Sequence, residues 1–191
     1  MKDSKPKNFV LIGPPGCGKG TQARLLLKRF PGSYYISTGQ LFRKMSAKKT
    51  DVGERIKNII ESGGLPFEDL ATTLWMNAIA FNVRKNQSII ADGFPRRLQE
   101  AKDLDDFLQF MGRKQHTIFF LIDISEKEAL RRLPKRGRID DDKKDIQKRF
   151  IIYREKTIPA HNYIKKHCKL IKINGEQPIE KVFKDILKHT K

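Results

Sequence analysis

Cysteine is scarce in this chain of 191 residues, which has only Cys17 and Cys168. Two thiols are too few for a disulfide framework, and a structural zinc site would need several histidines beside them. We therefore expect no zinc and a reducing cytoplasm as the location. The apolar runs at 9–12 and 117–124 are too short to span a bilayer, and the first is too short for an export signal. We expect no membrane contact.

Acidic residues are also few, with 22 Asp and Glu against 40 Lys and Arg, which gives a formal net charge of +18. This balance favours polyanionic partners such as nucleotides, nucleic acid or anionic membrane surfaces, although a lysine-rich surface that faces water explains it as well. The sequence offers no cluster of aromatic and basic residues of the kind that base stacking requires. We therefore expect nucleic acid to make only weak, nonspecific contact.

Five short apolar runs, rich in β-branched and aromatic residues, alternate with charged stretches that permit helices. The runs lie at residues 8–12, 34–36, 88–91, 117–124 and 170–173. This alternation is typical of βαβ units. It predicts a single α/β domain over residues 1–191, with a doubly wound sheet of five parallel strands and helices on both faces.

Two segments interrupt this alternation. Residues 37–82 contain two stretches with helical spacing, at 51–62 and 67–81, which predicts an inserted helical segment. Residues 134–142 are dense in charge, with a glycine between two arginines and three aspartates soon after them. They are too polar for a core, which predicts a short surface loop.

A glycine-rich loop follows the first strand and leads into a helical pattern, the context that a phosphate-binding loop requires. It reads Gly-Pro-Pro-Gly-Cys-Gly-Lys over residues 13–19. Its glycines let backbone N–H groups turn towards phosphate oxygens, and Lys19 can reach the terminal phosphates. Gly20 stands where such loops usually have a hydroxyl residue, and the hydroxyl follows at Thr21. Asp92, directly after the run at 88–91, is a candidate to hold Mg²⁺ through water.

Arginine is the second residue type that points to phosphate. Phosphoryl transfer depends mainly on alignment and on charge neutralisation, and the planar guanidinium binds phosphate oxygens in pairs. Six arginines are expected in loops or at helix ends near the glycine-rich loop: Arg43, Arg96, Arg132, Arg136, Arg138 and Arg149. A GTPase switch is disfavoured, because the sequence lacks the Asn-Lys-x-Asp motif that reads guanine.

These motifs, in this order, resemble an adenylate kinase with a short lid, a nucleoside monophosphate kinase of the P-loop NTPase type. The resemblance runs from about residue 8 to residue 189 and rests on residues 13–22, 36–39 with Arg43, 92–96, 136–141, 148–149 with Tyr153, 157–159 and 173–176. It implies a monomer that transfers the terminal phosphoryl group of Mg-ATP to AMP and gives two ADP. Residues 37–82 would bind the monophosphate, and residues 134–142 would form a lid without zinc.

The resemblance also implies roles for individual residues. Catalysis would fall to Lys19, Arg96, Arg136, Arg138 and Arg149. ATP would be held by Gly16, Cys17, Gly18, Lys19, Gly20, Thr21, Arg132, Arg136 and Gln177. AMP would be held by Thr38, Arg43, Gly64, Leu65, Pro66, Gly93, Arg96, Glu100, Arg138 and Arg149. Two lid carboxylates, whose pairing changes on closure in the family, would be Asp140 and Asp141.

Two positions depart from the family's usual pattern. Glu100 stands where adenylate kinases usually have a glutamine that reads adenine, and a carboxylate can accept from the amino group of adenine but cannot donate to its ring N1. Pro66 stands where the family usually has valine. The acceptor base therefore stays open at this point: AMP is favoured, a GMP, CMP or UMP kinase is the alternative, and a basic nucleic-acid-binding P-loop protein is a more distant one.

Overall fold

A computed structural model describes residues 6–136 and 143–190 of the chain. Its sheet has five strands in the order β2-β3-β1-β4-β5, and every neighbouring pair is parallel. The strands are β1 (Asn8–Ile12), β2 (Tyr34–Ser37), β3 (Ile89–Asp92), β4 (Thr117–Asp123) and β5 (Leu170–Asn174). The predicted doubly wound parallel sheet is confirmed, and each predicted strand boundary agrees to within one residue.

Nine α-helices lie in the described ranges. They are α1 (Lys19–Arg29), α2 (Thr38–Ser46), α3 (Asp51–Glu61), α4 (Glu68–Asn82), α5 (Leu98–Phe110), α6 (Glu126–Arg132), α7 (Lys143–Ile152), α8 (Ile158–His167) and α9 (Ile179–Leu187). Short 3₁₀ turns precede β4 and follow α6, and a wider π-type turn, Tyr153–Thr157, joins α7 to α8. None of the helices in these ranges is long and apolar enough to cross a bilayer.

The central strands β1, β3 and β4 are mostly buried on both faces, which explains their nearly continuous apolar character. Successive residues of β1 alternate between two cores. Phe9 and Leu11 pack on the side of α1, α6, α7 and α9, whereas Val10 and Ile12 pack on the side of α4, α5 and α8. Each strand residue therefore has a defined face, and β1, between β3 and β4, lies at the centre of the sheet.

Three helices, α2 to α4, lie between β2 and β3, within the segment predicted as an insertion. Helices α3 and α4 match the two predicted stretches to within one residue at each end. They form a small core of their own with α2 through Phe42, Ile56 and Ala71. Further along α4, Trp75 and Ile79 pack into the main core instead, so this helix also belongs to the body of the domain.

A buried arginine ties the chain together at the amino end of the sheet. Arg113 is 8% exposed, and its guanidinium donates to Asn8 Oδ1 at 3.2 Å and to the carbonyls of Arg84, Lys85 and Gln87 at 2.7 to 3.0 Å. Burial lowers the pKa of Arg113. These bonds fix the loop before β3 against the start of β1.

We expect Arg113→Met to lower the free energy of unfolding by about 2 to 4 kcal/mol, because four oxygen acceptors lose their donor where water is largely excluded. Urea unfolding followed by circular dichroism measures the change. The matched control is Arg84→Met, which removes an exposed side chain and keeps the carbonyl that Arg113 binds. A loss no larger than that of the control would contradict the structural role of Arg113.

Candidate active site

The carboxyl ends of the central strands open into a cavity of about 640 Å³. The chain order reverses around β1, whose neighbours are β3 and β4, and ligands of open parallel sheets bind at such a switch point. The walls come from the loop after β1, the loop after β3, the helical insertion and the helices α7 and α8. The cavity therefore joins the glycine-rich loop to the predicted monophosphate site.

The glycine-rich loop wraps around the amino end of α1. Gly16 and Gly18 have φ angles of 80° and 94°, a backbone region that glycine adopts without strain. Gly18 is the residue before the helix, so the first N–H groups of α1 are left to face the loop. A row of such N–H groups at a helix amino end favours an anion such as phosphate.

Lys19 spans this loop. Its ammonium donates to the carbonyl oxygens of Gly13 at 2.8 Å and Pro14 at 2.9 Å and lies 3.3 Å from the sulfur of Cys17. The positive charge is thus held over the concave side of the loop. All six residues predicted to hold ATP in this loop line the cavity: Gly16, Cys17, Gly18, Lys19, Gly20 and Thr21.

Asp92 stands at the end of β3, opposite the first turn of α1. A Cβ atom on Gly20 would lie 3.5 Å from Asp92 Oδ2, so the carboxylate directly faces this turn. The hydroxyl of Tyr35 donates to the same oxygen at 3.4 Å, and burial together with the Asp92 charge raises the pKa of Tyr35. Tyr35 therefore stays a neutral donor to this carboxylate, which lines the cavity.

The donor set at Asp92 fits Mg²⁺ that enters with a nucleotide. Mg²⁺ retains several waters and is usually bound by one or two carboxylates together with substrate phosphates. Among the residues in the described ranges, no group of three or more His, Cys, Asp or Glu side chains could hold a metal ion without such help. A single half-buried carboxylate beside a phosphate loop meets the smaller requirement.

Gly93 organises the opposite side of the cavity. Its carbonyl accepts from Thr38 Oγ1 at 2.8 Å and from Arg96 Nε at 2.7 Å. Gly93 has a φ of 90°, and a Cβ atom there would lie 2.9 Å from Thr38 Oγ1, so both backbone shape and space require glycine. Arg43 lies nearby, since its Nη1 atom would be 3.3 Å from a Cβ atom on Gly39. The predicted monophosphate ligands Thr38, Arg43, Gly93 and Arg96 all line this part of the cavity.

Glu100 lies inside the cavity wall and not on the helix surface. It is 3% exposed, and its Oε2 atom accepts from the backbone N–H of Arg96 at 2.8 Å. Burial raises the pKa of Glu100, although the same hydrogen bond and the charges of Arg96 and Arg97 oppose the effect. The carboxylate thus holds the chain just before α5 while lining the predicted base site together with Gly64, Leu65 and Pro66.

Arg132 and Gln177 line the side of the cavity that lies towards α6 and α9. Arg132 Nε donates to Glu128 Oε1 at 2.5 Å, and Arg131 donates to both oxygens of the same carboxylate at 2.7 and 2.8 Å. These two arginines lower the pKa of Glu128 to about 2. Gln177 donates to the carbonyl of Asn174 at 2.9 Å and to Asp185 Oδ2 at 3.0 Å, which fixes its backbone at the cavity edge.

The predicted loop at 134–142 is described only in part. Arg138, Asp140 and Asp141 lie outside the described residues, and Arg136 ends a 3₁₀ turn, Pro134–Arg136, without a described side chain. Arg149, on α7, lines the cavity. A Cβ atom on Gly63 would lie 3.2 Å from Arg149 Cγ and 2.9 Å from the carbonyl oxygen of Asp145. The helical insertion therefore contacts α7 directly at Gly63.

The residues that line the cavity without a binding role predicted from the sequence include Arg97, Tyr153 and His161. Tyr153 carries its hydroxyl 3.5 Å from Nδ1 of His161. Burial, followed by the nearby charge of Lys19, lowers the pKa of His161 to about 4, and burial raises the pKa of Tyr153. Both groups are neutral at pH 7. No charge pattern or motif marks His161 in the sequence, because its position depends on how α8 packs.

Comparison with known proteins gives one family. A family model described as adenylate kinase matches residues 11–169. An adenylate kinase of Azobacteroides pseudotrichonymphae is 37% identical over 187 residues, covering 94% of this chain and 95% of the relative. Adenylate kinases of Thermobifida fusca and Prochlorococcus marinus are 34% and 36% identical, and each alignment covers more than 90% of both chains.

Proposed function

The chain belongs to the adenylate kinase family, as its motifs indicated, and we propose that it transfers the terminal phosphoryl group of Mg-ATP to AMP and releases two ADP. The observation that carries this proposal is the shared cavity. Lys19 and its phosphate loop form one wall, and Arg43 and Arg96 form the opposite one, so a donor and an acceptor phosphate can meet between them. A direct transfer of this kind requires little more than alignment and charge neutralisation.

The donor nucleotide would lie along the glycine-rich loop. The N–H groups of residues 16–21 and the ammonium of Lys19 would hold its phosphates. Arg132 would cover the adenine, and the backbone at Gln177 would meet its edge. The ion pair of Arg132 with Glu128 supports this role, because a guanidinium bound at its edge leaves its flat face for stacking.

The acceptor phosphate would be held by Arg43, Arg96 and the hydroxyl of Thr38. Arg149, on α7, would bridge the donor and acceptor phosphates, and Arg136 and Arg138 from the predicted lid would complete the charge neutralisation. Asp92 would hold Mg²⁺ through water, and the ion, when bound with ATP, neutralises charge on the phosphates. Because Tyr153 and His161 are uncharged at pH 7, this part of the wall adds no charge, negative or positive, beside the phosphates.

We further propose that the protein works as a cytoplasmic monomer and that nucleic acid makes only weak, nonspecific contact. The net charge of +18 supports attraction of anions, which includes both substrates. Attraction of the substrates can be distinguished from nucleic-acid binding by experiment, because nonspecific binding to RNA falls steeply with salt. Retention of RNA at physiological salt would contradict this part of the proposal.

The reaction is tested with Mg-ATP and a panel of AMP, dAMP, GMP, CMP and UMP, with products separated by ion-exchange chromatography. We expect AMP to give ADP with the highest kcat/KM, and ATP alone to give almost no ADP, because water must be excluded for transfer to succeed. Failure to form ADP from AMP, or a preference for GMP or UMP, would overturn the proposal of an AMP kinase.

Gly63→Ala should raise the KM for AMP by about tenfold, because its φ of 68° is strained for alanine and the added carbon meets the Asp145 carbonyl of α7. The matched control is Gly112→Ala, since Gly112 has a φ of 65° and open space around it. Both variants should lose stability through the strained φ, Gly63→Ala more because of the added contact with the Asp145 carbonyl, and only Gly63→Ala should change the KM. Equal KM values would contradict a role of this contact in acceptor binding.

A further inference from the structure

We propose that Arg97 and Glu100 read the acceptor base as a pair, with Glu100 accepting from the amino group of adenine and Arg97 donating to its ring N1. The inference rests on the proposed function, since it names the residues that select the base in that reaction. It gives Arg97 a role in specificity, and it supplies the donor that Glu100 lacks.

Glu100 has one free acceptor atom for a ligand. Its Oε2 is occupied by the backbone N–H of Arg96, which leaves Oε1 to accept from a base in the cavity. A carboxylate cannot donate, so a base edge that carries both a donor and an acceptor is only half satisfied by Glu100. An unmatched ring nitrogen in a closed site is costly.

Arg97 is fixed beside this carboxylate. Its Nη1 donates to the carbonyl of Pro66 at 2.8 Å, and its Nη2 contacts the carbonyl of Leu65 at 3.4 Å. A guanidinium has five N–H groups, so three remain beyond these two contacts. Arg97 lines the same cavity, and its charge acts on Glu100. A donor and an acceptor therefore line the same cavity, close enough for the charge of Arg97 to act on Glu100.

The backbone of Pro66 cannot provide this donor. Proline has no N–H, and the carbonyls of Leu65 and Pro66 only accept. Both carbonyls already accept from Arg97. The guanidinium thus changes this wall from one that accepts hydrogen bonds into one that donates them.

The pair matches adenine better than guanine. Adenine presents one amino group beside an unprotonated ring nitrogen, and it needs one acceptor and one donor. Guanine presents N–H groups at both N1 and the amino group, so its N1–H would face the guanidinium of Arg97, which can only donate. Uracil presents no amino group on its ring. Arg97 and Glu100 thus favour bases with an amino group beside an unprotonated nitrogen.

The test compares AMP with 1-deaza-AMP, in which C–H replaces N1, in the wild type and in Arg97→Met. In the wild type we expect 1-deaza-AMP to have a kcat/KM about tenfold lower than AMP, the usual size of one such hydrogen bond. In Arg97→Met the two acceptors should be nearly equal. The ratio is independent of the fraction of folded enzyme, so a loss of stability does not affect the result.

A merely structural role of Arg97 gives a different outcome. Loosening of the segment at 65–66 would weaken AMP and 1-deaza-AMP alike, and the tenfold ratio would persist in Arg97→Met, which would overturn the inference. The matched control, Arg55→Met on the exposed side of α3, should keep the wild-type ratio. Failure of the wild type to phosphorylate AMP would instead overturn the proposed function, and the inference with it.

A second variant tests the pairing from the other side. Glutamine can accept and donate, so adding Glu100→Gln to Arg97→Met should restore discrimination against 1-deaza-AMP to at least half of the wild-type ratio. The side-chain oxygen of glutamine can still accept from the N–H of Arg96 and preserve this bond. If the double variant treats both acceptors alike, residue 100 does not lie within reach of the base edge that carries N1, and Arg97 and Glu100 do not read that edge as a pair.

Discussion

Replacing Lys19 by alanine should lower kcat by a hundredfold or more, roughly 3 kcal/mol of transition-state stabilisation, as expected for the loss of one preorganised charge. The ammonium stands over the phosphate loop, held by the carbonyls of Gly13 and Pro14. The ammonium of Lys19 is already in position, so it would stabilise the charge that develops on the transferred phosphoryl group without moving. The measurement is a steady-state assay of ADP formation at saturating ATP and AMP.

Stability should change little in Lys19→Ala, by less than about 1 kcal/mol, because the bonds that are lost lie at the cavity surface and water can replace them. The control is Lys28→Ala, an exposed lysine in the last turn of the same helix, which should keep wild-type kcat. If Lys19→Ala retained wild-type kcat, the assignment of the phosphate loop would be wrong. If it unfolded, the lysine would be structural.

The fold could be predicted from the sequence where burial alone determines which residue types occur. Strands β1 and β4 are covered on both faces, so they appear in the sequence as nearly continuous apolar runs. Helix α2 was not predicted as a helix. It begins directly at the end of β2, and its Ser-Thr-Gly start indicates a binding loop more strongly than a helix. Its Phe42 packs with α3 and α4 and its Leu41 against the main core, and the sequence does not show these tertiary contacts.

The site was predictable where it is local. The residues from Gly13 to Thr21 are contiguous, and their role follows from helix-end geometry that any phosphate loop shares. The base site is different, because it is made by contacts between distant segments. Arg97 meets Pro66 across 31 positions of sequence. The sequence pointed to Glu100 but could not show that the backbone N–H of Arg96, just before α5, donates to one of its oxygens.

The neutral part of the wall illustrates the same limit. A histidine on a helix is read from sequence as a titratable group near its usual pKa. His161 lies on α8 and is buried beside the cavity, and this burial lowers its pKa to about 4. The side chain that the sequence would treat as a candidate base or cation is therefore uncharged at pH 7. The direction of this shift depends on tertiary packing, which no spacing of residues encodes.

Arg96→Ala should raise the KM for AMP by about a hundredfold and leave the KM for ATP nearly unchanged. The Nε atom of Arg96 is held by the Gly93 carbonyl at 2.7 Å, which orients the guanidinium towards the acceptor side of the cavity. A guanidinium that binds a phosphate dianion in a partly buried site contributes more than a neutral hydrogen bond.

The separation of the two KM values is the decisive readout for Arg96. A general loss of structure would raise both, whereas loss of one acceptor ligand raises only that for AMP. Arg96→Lys keeps the charge but not the forked geometry, so it should recover part of the affinity and fall between the wild type and Arg96→Ala. Arg55→Ala is the surface control. An equal rise in the KM for ATP would contradict the assignment of Arg96 to the acceptor side, because loss of an acceptor ligand alone cannot weaken ATP.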